Sequence, residues 1–400
     1  MLNIDDNRVA MAIPPILRLA FRPLFLGGTL FSLIAIGWWT WFWLNPFNWQ
    51  PYGGPIWWHA HEMLFGFGSA IVVGFLLTAV QTWTGVAGLR GKWLAVLALS
   101  WLLGRLLLAF GSSLPPWILV TTDLSFLLLA AVAMAYPVIK VKQWRNLMFA
   151  PMLFMLALLN GLSHWGALNG RPDLALQSLH GAIFLITLFI VIVGGRVIPF
   201  FTANTTGCDR LPAKQWLEAL SVGTVIVLAL IAFIGFSSVP AAVTVTLCVT
   251  AALVNGWRFL RWGIQHTWRV PLLWSLHLAY AFIPFGLLAL ALYVSGYLSS
   301  PSSALHCFAV GAVGGVILAM ISRVTLGHTG RPLQPPSAIV PAYIFILTAA
   351  VLRVVVPAWW PQYTSWGIGL AGVLWVAAYG IFFIYYGPML LTTRADGRPG

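Results

Sequence analysis

Two histidines and a glutamate lie close together near the start of a long apolar stretch, in the block 57–63 (WWHAHEM). His59, His61 and Glu62 are residue types that bind metal ions and transfer protons. Ionisable side chains at the entrance of an apolar segment are costly in a membrane and commonly mark a functional site. Trp and His are also ordinary residues of a membrane interface, so the block alone leaves both interpretations open.

Composition indicates the environment in which these residues lie. Of the 400 residues, 60% are hydrophobic and 7% are charged, and the mean hydropathy is +0.91. So few charged residues cannot cover the surface of a soluble protein, and we therefore expect an integral membrane protein. The net charge of +13 comes from basic residues in short loops between apolar runs. That pattern orients a membrane protein and argues against nucleic-acid binding.

Several familiar sequence signals are absent. Cys208, Cys248 and Cys307 show no CxxC or CxxCH spacing, which argues against a disulfide framework, a zinc ribbon and covalently attached c-type haem. Residues 1–17 are polar and then proline-rich, so we expect no cleavable signal peptide.

Twelve apolar stretches are long enough to cross a bilayer, because a span needs about 20 mostly apolar residues. They cover approximately residues 19–44, 60–81, 93–111, 117–139, 147–168, 178–201, 216–236, 239–260, 271–297, 303–323, 338–356 and 366–391. The sequence therefore predicts an all-α integral membrane protein with a single transmembrane domain over residues 1–400.

Basic residues predict the orientation of these spans. They occur in every second connection and at both ends of the chain: Arg8, Arg18, Arg22, Arg90, Lys92, Lys140, Lys142, Arg145, Arg210, Lys214, Arg258, Arg261, Arg269, Arg323, Arg331, Arg394 and Arg398. The alternate connections contain one basic residue, Arg171. Cytoplasmic loops carry this excess of Lys and Arg, so both termini are predicted to be cytoplasmic.

Two markers recur with one period. His61, His180 and His306 stand near the starts of the second, sixth and tenth spans, and each span ends near a Thr-Gly pair, at 84–85, 206–207 and 329–330. The pairs are 122 and 123 residues apart, and arginines at 22, 145 and 269 are 123 and 124 apart. This period predicts three pseudo-symmetric four-helix repeats, approximately 18–139, 140–260 and 261–391.

Five of the eight histidines are predicted at one level near the outer face: His59, His61, His164, His180 and His306. A pseudo-threefold arrangement would bring the starts of the second, sixth and tenth spans towards one axis. Imidazole is a common ligand of haem iron and of copper. We therefore predict a shared metal or haem site formed by these five residues, with Met63 as a further candidate ligand.

Charged side chains support such a site. Arg105 and Asp123 are nine residues from the midpoint of one predicted hairpin, so we expect a buried ion pair. Arg353 has no evident carboxylate partner. It either binds a haem propionate, as a second cofactor-binding candidate beside Arg105, or reaches the outer interface. Glu62 either orients an imidazole or carries a proton as a catalytic residue, or it caps its helix.

Four blocks resemble the NnrS family: 21–23 (FRP), 58–63 (WHAHEM), 194–199 (GGRVIP) and 322–331 (SRVTLGHTGR). The resemblance covers essentially the whole chain, and the last block is the most specific. It implies a multi-pass protein of the bacterial inner membrane that contains haem and copper and accompanies denitrification and nitrosative-stress genes. It does not assign the metal ligands.

The predicted architecture is also similar to the catalytic subunit of haem-copper oxidases and nitric oxide reductases. Those proteins need six histidines for two haems and a copper, whereas five are predicted at the outer level here. One haem and one copper are therefore expected, divided as two and three histidines, or as one and three with one spare.

The expected function is the binding or reduction of nitric oxide at a metal site near the periplasmic face. Reduction would need an external electron donor, either quinol or another protein. Two other classes stay open at this point: a twelve-helix transporter and a membrane assembly factor without redox turnover.

Overall fold

The computed structural model describes residues 11–398, so Arg8 lies outside the described residues. Twelve long apolar helices confirm the predicted number of spans. They are α1 (Phe21–Leu44), α2 (Pro55–Thr84), α3 (Gly91–Phe110), α4 (Pro116–Lys140), α5 (Trp144–Leu168), α6 (Pro172–Thr206), α7 (Gln215–Ile234), α8 (Ala241–Leu260), α9 (Pro271–Val294), α10 (Ser302–His328), α11 (Ile339–Trp359) and α12 (Pro361–Leu391). The chain is an integral multi-pass membrane protein.

Three helices form the centre of the bundle. The most apolar windows of α2, α6 and α10 are 78%, 78% and 83% buried, against 33–56% for the other nine helices. α12 packs against α1, so the first and last helices are neighbours. Residues of α2, α6 and α10 line one entirely apolar space, the central cavity, together with Phe25 and Leu276. This placement agrees with the predicted correspondence of the three helices, and the three repeats stay a prediction.

The inner helices are longer than the sequence predicted at both ends. α2 begins at Pro55 and α6 at Pro172, because proline fits the first helical turn, where its missing N–H is not needed. The glycine of each Thr-Gly pair has a positive φ, from 68° to 72°. Gly85 and Gly207 are the left-handed C-caps of α2 and α6, so these two pairs terminate helices as expected. His328, five residues beyond the predicted end of the tenth span, is the last residue of α10.

Two of the inner helices contain a π-helical segment. It covers Glu62–Gly68 in α2 and Cys307–Gly314 in α10, directly after His61 and His306. Neighbouring helices donate to carbonyl groups in both segments: Trp101 Nε1 to Gly66 and the Tyr379 hydroxyl to Gly314, each at 2.8 Å. Such widened turns are rare and frequently occur at functional sites.

A polar network joins α6, α7, α8 and α9 at their predicted cytoplasmic ends. Arg258 is buried, forms an ion pair with Glu218, and donates to the carbonyl of Val191 at 2.8 Å and to the hydroxyl of Tyr280 at 3.1 Å. A Cβ added at Gly195 would lie 1.6 Å from Nη2 of Arg258. Only glycine therefore lets the guanidinium pass this close to α6.

Candidate metal centre and outer cavity

The helical geometry of α2 directs its two histidines to different places. Both lie inside the helix, beyond its first residue Pro55, rather than at its entrance. Residues two apart on an α-helix point about 200° apart around its axis. His61 accordingly contacts α4 and α5, whereas His59 lines a cavity beside α10 and α11.

His61, Asp123 and His164 form a group with the spacing of metal ligands. Their potential ligand atoms all lie within 4.8 Å of one another, and all three residues are buried. Oδ2 of Asp123 is 3.2 Å from Nε2 of His61 and 3.1 Å from Nε2 of His164. Ligands about 2.0–2.1 Å from a tetrahedral metal are about 3.3 Å apart, so the two distances to Asp123 match those between ligands of one ion.

Glu62 and Arg105 surround this group. Oε1 of Glu62 lies 3.1 Å from Nδ1 of His61, and its other oxygen accepts a hydrogen bond from Arg105 at 2.6 Å. Arg105 also pairs with Asp123, which confirms the predicted ion pair. An acceptor on Nδ1 favours the tautomer protonated there, and Nε2 would then bind a metal in place of its contact with Oδ1 of Asn160. Glu62 therefore contacts the adjacent His61, and it does not cap the helix, which begins at Pro55.

Asn160 and Tyr52 complete the surroundings and were missed by sequence reasoning. Asn160 donates from Nδ2 to Asp123 at 2.6 Å, and its Oδ1 lies 2.7 Å from Nε2 of His61. The Tyr52 hydroxyl lies 3.1 Å from Nδ1 of His164. Burial raises the pKa of Tyr52, in the loop before α2, to about 12, so the phenol stays protonated. We call His61, Glu62, Arg105, Asp123, Asn160 and His164 the buried cluster.

The buried cluster lacks one positive charge. Its six residues are at most 5% exposed, and Glu62 and Asp123 face the single guanidinium of Arg105. Two carboxylates against one arginine leave a net charge of −1 if the histidines are neutral. An unbalanced charge in a membrane interior is strongly unfavourable. One added positive charge, either a monovalent cation or a proton on His61 or His164, restores neutrality, and a divalent cation leaves a net charge of +1.

The outer cavity is a separate site on the other side of α2. His59, Met63, His306 and Arg353 line it among apolar side chains, and the ring of His59 stacks on Trp39 at 4.3 Å. Nδ1 of His306 donates to the Ser302 carbonyl at 2.7 Å, which leaves Nε2 as the nitrogen with a lone pair.

Arg353 is anchored but carries no counter-charge. It donates to the hydroxyl of Ser302 at 3.0 Å, and no carboxylate within the described range 11–398 forms an ion pair with it. Trp375 lines the same cavity, and its buried Nε1 has no hydrogen-bond partner among those residues. The donors of this cavity therefore suit an anionic or acceptor-bearing group.

The side chains that line the outer cavity could bind haem, but the cavity is too small for haem in this conformation. Two imidazoles could bind the iron of a haem and Arg353 matches a propionate. The cavity has a volume of about 80 Å³, whereas pockets for ligands of this size hold roughly 300–1,000 Å³. Haem would require the aromatic walls formed by Trp39 and Trp375 to move apart.

His180 belongs to neither site. Its ring lies 6.2 Å from that of Phe236 in a stacked arrangement, and it is absent from the residues that form the buried cluster and line the outer cavity. The five predicted histidines are thus distributed over three places, because the ring directions, and not the depth alone, decide which of them meet.

Comparison with protein-family models identifies a match over most of the chain. A family model described as "NnrS protein" matches residues 15–394. No curated protein matches the chain. The matched range includes every residue of the buried cluster and of the outer cavity, and it covers nearly the whole sequence. The chain belongs to the NnrS family.

Proposed function

We propose that this protein holds a copper ion in the buried cluster and haem in the outer cavity, and that it binds nitric oxide there. The observation that carries the proposal is the convergence of His61, Asp123 and His164 within 4.8 Å at full burial. Two imidazoles and a carboxylate suit a divalent copper ion, which would change the net charge of the cluster from −1 to +1. The family resemblance is the reason for choosing copper over other metals with the same ligand preference.

Haem is assigned by donor chemistry. His59 and His306 are the residues that would hold its iron, Met63 is an alternative, and Arg353 is the candidate partner of a propionate. When bound, haem supplies an iron centre that takes a diatomic ligand such as nitric oxide. The apolar walls would keep water from it, and the central cavity, which shares α2 and α10 with the outer cavity, offers an apolar space for an uncharged gas.

Reduction of nitric oxide is a further step that the same residues support. Two molecules of nitric oxide and one quinol would give nitrous oxide, water and quinone, so that the quinol supplies both electrons and both protons. Glu62, hydrogen-bonded to His61 and Arg105, is the candidate to hold a proton near the site. The chain would have to receive electrons from a separate donor.

Two variants, each expected to lose one cofactor and keep the other, test the metal assignments. We expect His164→Ala to lose copper and keep the haem spectrum, and His306→Ala to lose or shift the haem spectrum and keep copper. His266→Ala, in a connection far from both sites, is the control. Metal analysis and absorption spectra, oxidised, reduced and with nitric oxide, give both readouts.

Two results would contradict the proposal. A purified protein without haem absorption after expression in haem-replete cells excludes the haem part. Copper content unchanged in His164→Ala excludes the buried cluster as the copper site. Nitric oxide consumption with quinol, measured on the same preparation, separates a reductase from a binding protein, and the absence of all metal favours the transporter or assembly-factor alternatives.

A further inference from the structure

A second polar site lies at the opposite end of the bundle. It is a cavity of about 610 Å³, lined by Arg145, Arg196, Arg210, Arg258 and Glu218 together with residues of α2, α5, α6, α7 and α8. We call it the arginine cavity. Its volume is several times the roughly 80 Å³ of the outer cavity and falls within the range of small-ligand pockets.

The arginine cavity has a large excess of positive charge. Four arginines face one glutamate, so the formal excess is three charges. Glu218 is already paired with Arg258. For the other three arginines, no carboxylate within residues 11–398 lies at ion-pair distance. Among the described residues that line the cavity, the only carboxylate, Glu218, is therefore already paired, and the other arginines are available to a bound anion.

The guanidinium of Arg196 is held in position. It donates to Oδ1 of Asn146 at 3.2 Å, contacts the sulfur of Met148 at 3.7 Å, and lies 5.7 Å from the centre of the Phe149 ring. Neutral partners fix the side chain without neutralising it. Such pre-organised arginines bind phosphate through paired N–H groups.

The level of the cavity in the membrane is marked by tryptophans. Trp144, Trp216 and Trp257, from the helices around it, are 61%, 48% and 47% exposed. Exposed tryptophans of membrane proteins concentrate at the height of the lipid headgroups. The cavity thus lies at an interface that the distribution of basic residues predicts to be cytoplasmic.

We propose that the arginine cavity binds a phosphate group, supplied either by the headgroup of an anionic phospholipid or by free phosphate. Its interfacial level favours the lipid, because basic pockets between membrane helices on this side typically hold anionic headgroups. The inference depends on neither metal site, since the arginine cavity shares no residue with them.

Retention of lipid by the full-length purified protein tests the proposal. The protein is supplied with an equal mixture of phosphatidylglycerol and phosphatidylcholine, and bound lipid is counted by native mass spectrometry. We expect a preference for phosphatidylglycerol that falls about five-fold for each arginine removed, in Arg196→Gln and in Arg145→Gln. Arg145 is exposed in the first turn of α5, so that variant keeps its fold.

Arg269→Gln is the matched control, since it removes one exposed arginine of another connection on the same predicted face. A parallel measurement adds inorganic phosphate to lipid-free protein at constant ionic strength and follows thermal unfolding. Stabilisation of the wild type but not of the cavity variants, without a lipid preference, assigns the site to free phosphate. If neither ligand distinguishes the cavity variants from the wild type and Arg269→Gln, the proposal is wrong.

Discussion

His61 and Glu62 are consecutive residues, yet Nδ1 of the first lies 3.1 Å from a carboxylate oxygen of the second. Successive side chains on a regular α-helix point about 100° apart and do not face each other. The contact occurs where α2 changes from α-helix to the π-helical segment Glu62–Gly68. The unusual backbone therefore coincides with the pairing of the predicted metal ligand and its orienting carboxylate.

Glu62→Gln should weaken the metal site without emptying it. The amide keeps the shape of the side chain but loses the charge that orients His61 and pairs with Arg105. Loss of such a second contact typically lowers metal affinity about 10–100-fold. Competition with a chelator of known affinity measures it, and Glu218→Gln, in the distant Arg258 pair, is the control. Equal affinities in both variants would show that Glu62 does not support the site.

Arg105→Gln should destabilise the protein. It leaves Glu62 and Asp123, both buried, without their shared cation, and breaking a buried ion pair in this way costs about 3–5 kcal/mol. The midpoint of thermal unfolding in detergent is the readout. Arg171→Gln, at an exposed position before α6, should leave the midpoint unchanged. Added copper should recover part of the loss, since the metal supplies positive charge to the same cluster.

His180→Ala distinguishes the predicted repeat from the observed placement. By its position in the repeat, His180 corresponds to His61 and His306, and its removal would disturb a metal site. Its ring instead lies against Phe236, and we expect copper content and haem spectrum to stay at wild-type levels. A loss of either metal comparable to that in His164→Ala or His306→Ala would restore His180 as a ligand.

Gly195→Ala should disrupt the network at the other end of the bundle. The new methyl group would overlap Nη2 of Arg258 and displace the guanidinium from Glu218 and Val191. Steric overpacking of this kind costs about 1–3 kcal/mol. Gly256→Ala is the matched control, because a Cβ there has no neighbour within 4 Å and alanine is about 1 kcal/mol better than glycine in a helix. We expect Gly195→Ala to lower the midpoint of thermal unfolding and Gly256→Ala to raise it.

The number of helices and one buried ion pair could be predicted from the sequence. Apolar runs of sufficient length indicate spans directly, and the symmetric positions of Arg105 and Asp123 about a tight hairpin bring them level. The long ends of α2 and α6 were missed because an apolar window stops at the first polar residues, whereas the helices begin at the prolines 55 and 172.

The sequence did not predict which histidines share a site. Depth along a helix follows from counting residues, but the direction of a side chain needs the helical rotation as well, and His59 and His61 point apart for that reason. Asn160 had one signal: it lies four residues before His164 and hence on the same face of α5. No sequence signal indicated the π-helical segments, because their carbonyl groups accept hydrogen bonds from residues far along the chain, in α3 and α12.

The buried cluster and the outer cavity differ in which parts of the chain they need. All side chains of the buried cluster come from α2 to α5, so it can close as soon as the fifth helix has left the ribosome and entered the membrane. The outer cavity also takes His306 and Arg353 from α10 and α11, near the end of synthesis. A nascent chain therefore acquires the candidate copper ligands early and the candidate haem ligands late, and under the proposed function this order would let copper be loaded before haem.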